Sequence, residues 1–141
     1  MKRLLLMPCL LLAMGLAACG NHVVVEVDQD STSQIKIVTT DATPVTVSAP
    51  GAKGAINLHV GDQVHYKIMR TVTKFNGHST TTDVTAQADF NFSNPPVAAM
   101  DVTGQLTTFT AGFTTLEVIY RQDNLNPTLD DKVALDITVT P

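Results

Sequence analysis

The sequence predicts an all-β fold, an antiparallel sandwich of about seven to eight short strands. After residue 43, apolar and polar residues alternate with period two, as half-buried strands require. Glycine, proline and asparagine interrupt the alternation at short intervals, and no stretch repeats apolar residues at helical spacing. Composition agrees, because threonine and valine are frequent and both suit a pleated surface.

The first 19 residues follow a different logic. Lys2-Arg3 precedes an apolar run over residues 4–16, shorter than the roughly 20 residues a bilayer span needs and suited to an export signal. An ordinary secretory signal ending in Ala-x-Ala form is one reading. The ending Leu16-Ala17-Ala18-Cys19, however, resembles the lipobox of bacterial lipoproteins. That resemblance implies a signal peptide over residues 1–18, with Cys19 as first mature residue, carrying a diacylglyceryl group on sulfur and usually a further acyl chain on its amino group. One acyl chain binds a membrane only marginally, whereas two or three make a durable anchor. Gly20 stands where an aspartate would favour inner-membrane retention in the Gram-negative family, so the resemblance implies the outer membrane.

On that resemblance, cleavage would remove Cys9 and lipidation would consume Cys19, so the mature chain is expected to have no thiol pair for a disulfide. Loss of Lys2 and Arg3 leaves seven basic against thirteen acidic side chains, a formal charge of minus six. Such a chain lacks the basic patch that nucleic-acid binding requires, and none is expected as a partner. Residues 19–141 suffice for one domain with its own core.

Residues 19–43 read as a lipidated tether with strand potential. Val23-Val24-Val25-Glu26-Val27 is strand-like, residues 28–33 are polar, and Ile35 and Ile37 are apolar again. An exposed valine run is an aggregation hazard, which favours its docking as an edge strand or near lipid. The domain proper is expected over residues 44–141. Val45 and Val47 alternate with Thr46 and Ser48 before Pro50-Gly51; Ile56, Leu58 and Val60 then alternate up to the turn at Gly61-Asp62. Val64, Tyr66, Ile68 and Val72 share the next inward face, with Arg70 as a charged exception.

Asn76-Gly77 predicts a hairpin with a type I′ turn. Beyond it, Val84, Ala86, Ala88, Phe90 and Phe92 form one alternating face, ended by Asn94-Pro95-Pro96. Short strands follow over residues 97–101 and 106–109, separated by Gly104 and closed by Gly112. Leu116, Val118 and Tyr120 mark another strand, and residues 122–132 a polar loop. Val133, Leu135, Ile137 and Val139 mark the last strand. Strands of this length and spacing describe a sandwich of immunoglobulin type.

Val60-Gly61-Asp62, Asp83-Val84-Thr85 with Ala88 and Phe90, Ser93-Asn94-Pro95-Pro96-Val97-Ala98, and Gly104, Thr107 and Gly112 occur in this order. In that order and spacing the chain resembles a bacterial immunoglobulin-like domain of group 2 over about the last 95 residues. Gly104 and Gly112 keep the family's spacing of eight. Phe90 stands where the family usually has tryptophan, and Phe92-Ser93 where it has two serines. The resemblance implies a spacer, adhesion or binding role, and fold alone does not choose among these.

No active-site pattern is legible. His22, His59, His65 and His78 lie too far apart for a zinc motif, and no serine sits in a Gly-x-Ser-x-Gly elbow. The acidic loop with Asp123, Asn124, Asn126, Asp130 and Asp131 offers the hard oxygens that calcium prefers, without the spacing of a helix-loop-helix site. Calcium binding there competes with a plain solvated loop, and no other cofactor is expected. Tyr66, Phe90, Phe92, Phe109 and Tyr120 mostly fall on inward parities, whereas Phe75 and Phe113 adjoin turns and are the candidate exposed contacts. The expectation is therefore a non-enzymatic, lipid-anchored envelope protein whose domain binds a protein or glycan partner. The alternative is a structural envelope lipoprotein that packs by strand addition through residues 23–27.

Overall fold

The computed structural model describes residues 31–40, 46–122 and 130–141. The segment 1–18 read as a signal peptide, with Cys9, and Cys19, Gly20, His22, the valine run at residues 23–27 and Val45 lie outside them. The described residues form ten strands in two open sheets, with no α-helix among them. The strands are β1 (Thr32–Thr39), β2 (Thr46–Ser48), β3 (Lys53–His59), β4 (Gln63–Thr73), β5 (Ser79–Asp83), β6 (Ala88–Phe92), β7 (Ala98–Met100), β8 (Gln105–Thr108), β9 (Gly112–Tyr120) and β10 (Asp131–Thr140). One sheet runs β2-β1-β4-β8-β7 with β5 also on β4; the other runs β3-β10-β9-β6. Two packed sheets with this connectivity are consistent with an immunoglobulin-like sandwich.

The core lies between the sheets and is built from period-two faces. Ile35, Ile37, Tyr66, Ile68 and Leu106 from the first sheet meet Leu116, Val118, Leu135 and Ile137 from the second. Full burial of such a side chain contributes about 1.5–3 kcal/mol, so these faces hold the sheets together without a disulfide. β1 falls within the stretch read as a tether with strand potential. It pairs with β4 along its whole length, from Thr32 opposite Thr73 to Thr39 opposite Tyr66.

The strand count exceeds the expected seven to eight, and the pairing is not wholly antiparallel. β3 runs parallel to β10, from Lys53 beside Ala134 to His59 beside Thr140. The reason lies at Pro50-Gly51, where the chain leaves β2 in the first sheet and enters β3 in the second instead of forming a hairpin. Ser48 secures this crossing, because its hydroxyl donates to the Ala134 carbonyl at 2.5 Å and accepts the Gly54 N–H at 3.3 Å.

The even-numbered face expected from Val84 to Phe92 is broken by a 3-10 turn over Thr85–Gln87, which leaves Ala86 exposed. Asp83 causes the break: its Oδ1 accepts both the Thr85 N–H at 3.0 Å and the Thr85 hydroxyl at 2.6 Å, folding the backbone locally. At the β4-β5 hairpin only Gly77 has positive φ, at 81°, so the type I′ turn is not formed. The Gly77 N–H donates to Lys74 O and the Lys74 N–H to His78 O, which makes Phe75-Asn76-Gly77 a three-residue loop with glycine at the left-handed position. The polar loop ends earlier than expected, since Asp131 and Lys132 already belong to β10.

Candidate functional site

The two ends of the sandwich differ, and β4 defines them. It begins at Gln63, beside the β3-β4 turn, and ends at Thr73, beside the Phe75 hairpin, a strand of 11 residues. At about 3.3 Å per residue this strand alone separates its ends by roughly 35 Å.

At the Gln63 end, backbone bonds tie three connections together. The Val60 N–H donates to Thr140 O at 2.9 Å, the Gly61 N–H to Thr108 O at 3.2 Å, and the Phe109 N–H to Val97 O at 2.9 Å. The buried Thr108 hydroxyl donates to His59 O at 2.6 Å, so this junction is polar inside and satisfied. Around it stand three large exposed apolar side chains, Val60 (44% exposed), Phe109 (50%) and Phe113 (53%). Phe109 does not take the inward parity expected of it, because Leu106 and Thr108 fill the inward positions of β8 and the next odd residue turns out. Phe113 lies opposite Thr138, with Thr114 carrying the inward position beside it.

At the Thr73 end stands Phe75, 89% exposed at the hairpin tip. The two candidate contact residues, Phe75 and Phe113, are thus at opposite ends and share no surface. The N-terminal side of β1 is also at this end, with Thr32 opposite Thr73. A polar cluster closes the core beneath the hairpin. Arg70 Nε lies 3.4 Å from Asp131 Oδ2, both groups bond the Ser33 hydroxyl, and the guanidinium stacks 4.9 Å from the Tyr120 ring centre. Arg70 also donates through Nη2 to Gln122 Oε1 at 3.2 Å.

This arrangement bears directly on the calcium candidates. Asp123, Asn124 and Asn126 lie outside the described residues. Asp131 is buried and engaged by Arg70 and Ser33, whereas Asp130 approaches a different cation, Arg121 Nη1, at 3.9 Å through Oδ2. The two adjacent carboxylates therefore address separate arginines. Among the described residues no group of three histidine, cysteine, aspartate or glutamate side chains could hold a metal. His59 is 3.9 Å from Asp62, and His65 and His78 lie elsewhere on β4 and its hairpin. The Arg70-Asp131 pair is not evident from the sequence pattern alone, although a signal is present: each residue falls on an inward parity of its strand, and their charges are opposite.

A groove of about 560 Å³ crosses the outer face of the first sheet between His65, Lys67, Asp83, Thr85, Val102 and Thr103. Lys67 Nζ is 3.3 Å from Asp83 Oδ2, so the groove's paired charges satisfy one another. Burial pushes the Asp83 carboxyl up, but hydrogen bonds from Thr85 and the Lys67 cation outweigh it and hold the group below the usual carboxylate range. Beside this groove β5 forms an edge, with all five of its residues exposed. Its inner side pairs with β4, reinforced by the hydroxyl contacts Thr71 to Thr81 at 3.0 Å and Thr73 to Ser79 at 2.8 Å.

Compared with models of protein families and with curated proteins, the chain matches none. What is plain from the fold is a two-sheet all-β domain with chemically distinct ends.

Proposed function

We propose that this chain is a lipid-anchored envelope protein, without enzymatic activity, whose sandwich presents one end to a protein or glycan partner. The observation that carries the reading is the polarity of the domain. The segment leading back to Cys19 joins β1 at the Thr73 end, while Val60, Phe109 and Phe113 stand exposed around the other. An anchor at Cys19 leaves that apolar end directed away from the membrane, where aromatic side chains serve recognition. The lipobox-like ending Ala17-Ala18-Cys19 supports the anchor, and Gly20 supports the outer membrane.

The resemblance to group 2 bacterial immunoglobulin-like domains supports a recognition role, and the fold gives its motif residues physical work. Asp83-Val84-Thr85 carries the chain from one sheet to the other: the Val84 N–H donates to Ile68 O, and Thr85 Oγ1 accepts the Ile68 N–H at 3.0 Å. Gly104 lets the β7-β8 turn close on Tyr66. The test is photo-crosslinking in intact cells from positions 109 and 113, with Cys19→Ser as the mislocalised control. The expected result is one partner captured from both positions and lost in the control. Capture that persists unchanged in Cys19→Ser would overturn the reading.

A second reading, a structural lipoprotein that assembles by strand addition, draws on the β5 edge. An exposed edge strand is a template for another strand, and the threonine-rich Ser79–Asp83 contains neither lysine nor proline to block pairing. Residues 23–27 are a natural donor. Their deletion should then abolish association while leaving the domain folded by circular dichroism; association that survives the deletion counts against this reading.

A further inference from the structure

We infer that the Phe75 hairpin is a lipid-contacting tip which rests on the membrane surface to which the chain is anchored. This rests on the proposed acylation of Cys19. Twelve residues, 20–31, lie between Cys19 and Thr32. Fully extended, this span reaches at most about 45 Å, so the end of the sandwich it joins is held within that distance of the bilayer. Thr32 pairs with Thr73, the last residue of β4, and the hairpin projects beyond this pair. Its tip therefore lies at the tethered end of the sandwich.

The chemistry of the tip suits that surface. Phe75 is 89% exposed and contributes nothing to the core, so its ring is available to the boundary between headgroups and acyl chains. Lys74 precedes it in the sequence, and His78 follows on the other side of the loop. The N–H groups of Lys74, Gly77 and His78 are already bonded within the loop, to His78 O, Lys74 O and Asn76 Oδ1. The Phe75 and Asn76 amides make no such bond, so the tip belongs at the hydrated headgroup level and not in the hydrocarbon. Isolated exposed apolar residues are ordinary on protein surfaces. What distinguishes Phe75 is its position at the end where β1 begins, on a hairpin tip whose flanking amides are bonded within the loop.

The chain contains no tryptophan, so Phe75→Trp supplies a single reporter and Phe113→Trp its counterpart at the opposite end. Both variants are prepared as the full acylated protein in vesicles of phosphatidylethanolamine and phosphatidylglycerol, with and without acyl chains carrying bromine quenchers. The expected result is a blue-shifted emission at position 75, quenched by the brominated lipid and shielded from aqueous iodide, with position 113 unaffected by the lipid quencher. If position 75 is quenched by iodide as fully as in Cys19→Ser free of vesicles, the inference is overturned; quenching at 113 alone overturns it as well. Co-sedimentation with vesicles and the intact mass report acylation separately. An acylated, sedimenting protein with an iodide-accessible position 75 thus refutes the tip contact while leaving the anchor standing, and an unacylated chain removes both. A blue shift without lipid quenching assigns Phe75 to a protein contact and likewise overturns the inference.

Discussion

Gly104 concentrates several demands in one residue. Its φ is +85°, its carbonyl accepts the Tyr66 N–H at 2.9 Å, and an added Cβ would press into the Tyr66 carbonyl oxygen. Gly104→Ala should therefore destabilise the domain by at least about 2 kcal/mol, read as a lower urea midpoint, because both strain and a backbone clash oppose it. Asp131 makes a comparable prediction from charge. Asp131→Ala leaves Arg70, only partly exposed, without its carboxylate, and should cost about 2–4 kcal/mol with the fold retained. Titration adds a pH profile. Asp101 is held low first by the Thr103 hydroxyl, Asp136 first by Lys53, and Asp83 by bonds from Thr85 and Lys67 that outweigh its burial. The folded state releases these protons more readily than the unfolded chain. Their stabilisation is complete above the unfolded value of about 3.9 and is lost as pH falls through the lowered folded values. Burial raises Tyr66, whose contribution is complete below about 10 and lost as pH rises through its folded value. Urea midpoints should be level near neutrality and fall on both flanks; a midpoint that rises below pH 4 would contradict these assignments.

Among elements, β10 is the central strand of its sheet, flanked by β3 and β9, and its inward Leu135 and Ile137 are fully buried. Leu135→Ala should cost about 2–5 kcal/mol by thermal or urea unfolding, since a cavity there has both sheets around it. This strand was also the most legible in the sequence, because its parity runs unbroken from Val133 to Val139 and nothing local competes with it. Legibility failed where a side chain overrode parity or where pairing was remote. Asp83 turns the chain at Thr85 and interrupts the face expected through Ala86, which no period-two pattern reports. The parallel partnership of β3 with β10 joins Lys53 to Ala134, a separation that no turn residue encodes. The candidate contacts show the same division. Exposure of Phe75 and Phe113 could be read from their neighbouring turns, whereas their placement at opposite ends depends on the path of β4 and the register of β9 against β10.

At the scale of the whole molecule, the sandwich has a direction. Its first described strand, β1, begins beside the Phe75 hairpin and the Arg70-Asp131 cluster, and its other end carries Val60, Phe109 and Phe113 around the final residues of β10. A domain with this polarity acquires a working orientation once its N-terminal side is fixed to a surface. The proposed anchor at Cys19 supplies that fixation, and without it the distinction between a membrane-facing and an outward-facing end has no consequence. The claim is tested most directly by the intact mass and N-terminal peptide of the protein extracted from membranes. The account predicts a mature chain beginning at Cys19 with a diacylglyceryl thioether; an unmodified Cys19, whether in a cleaved or an uncleaved chain, would contradict it.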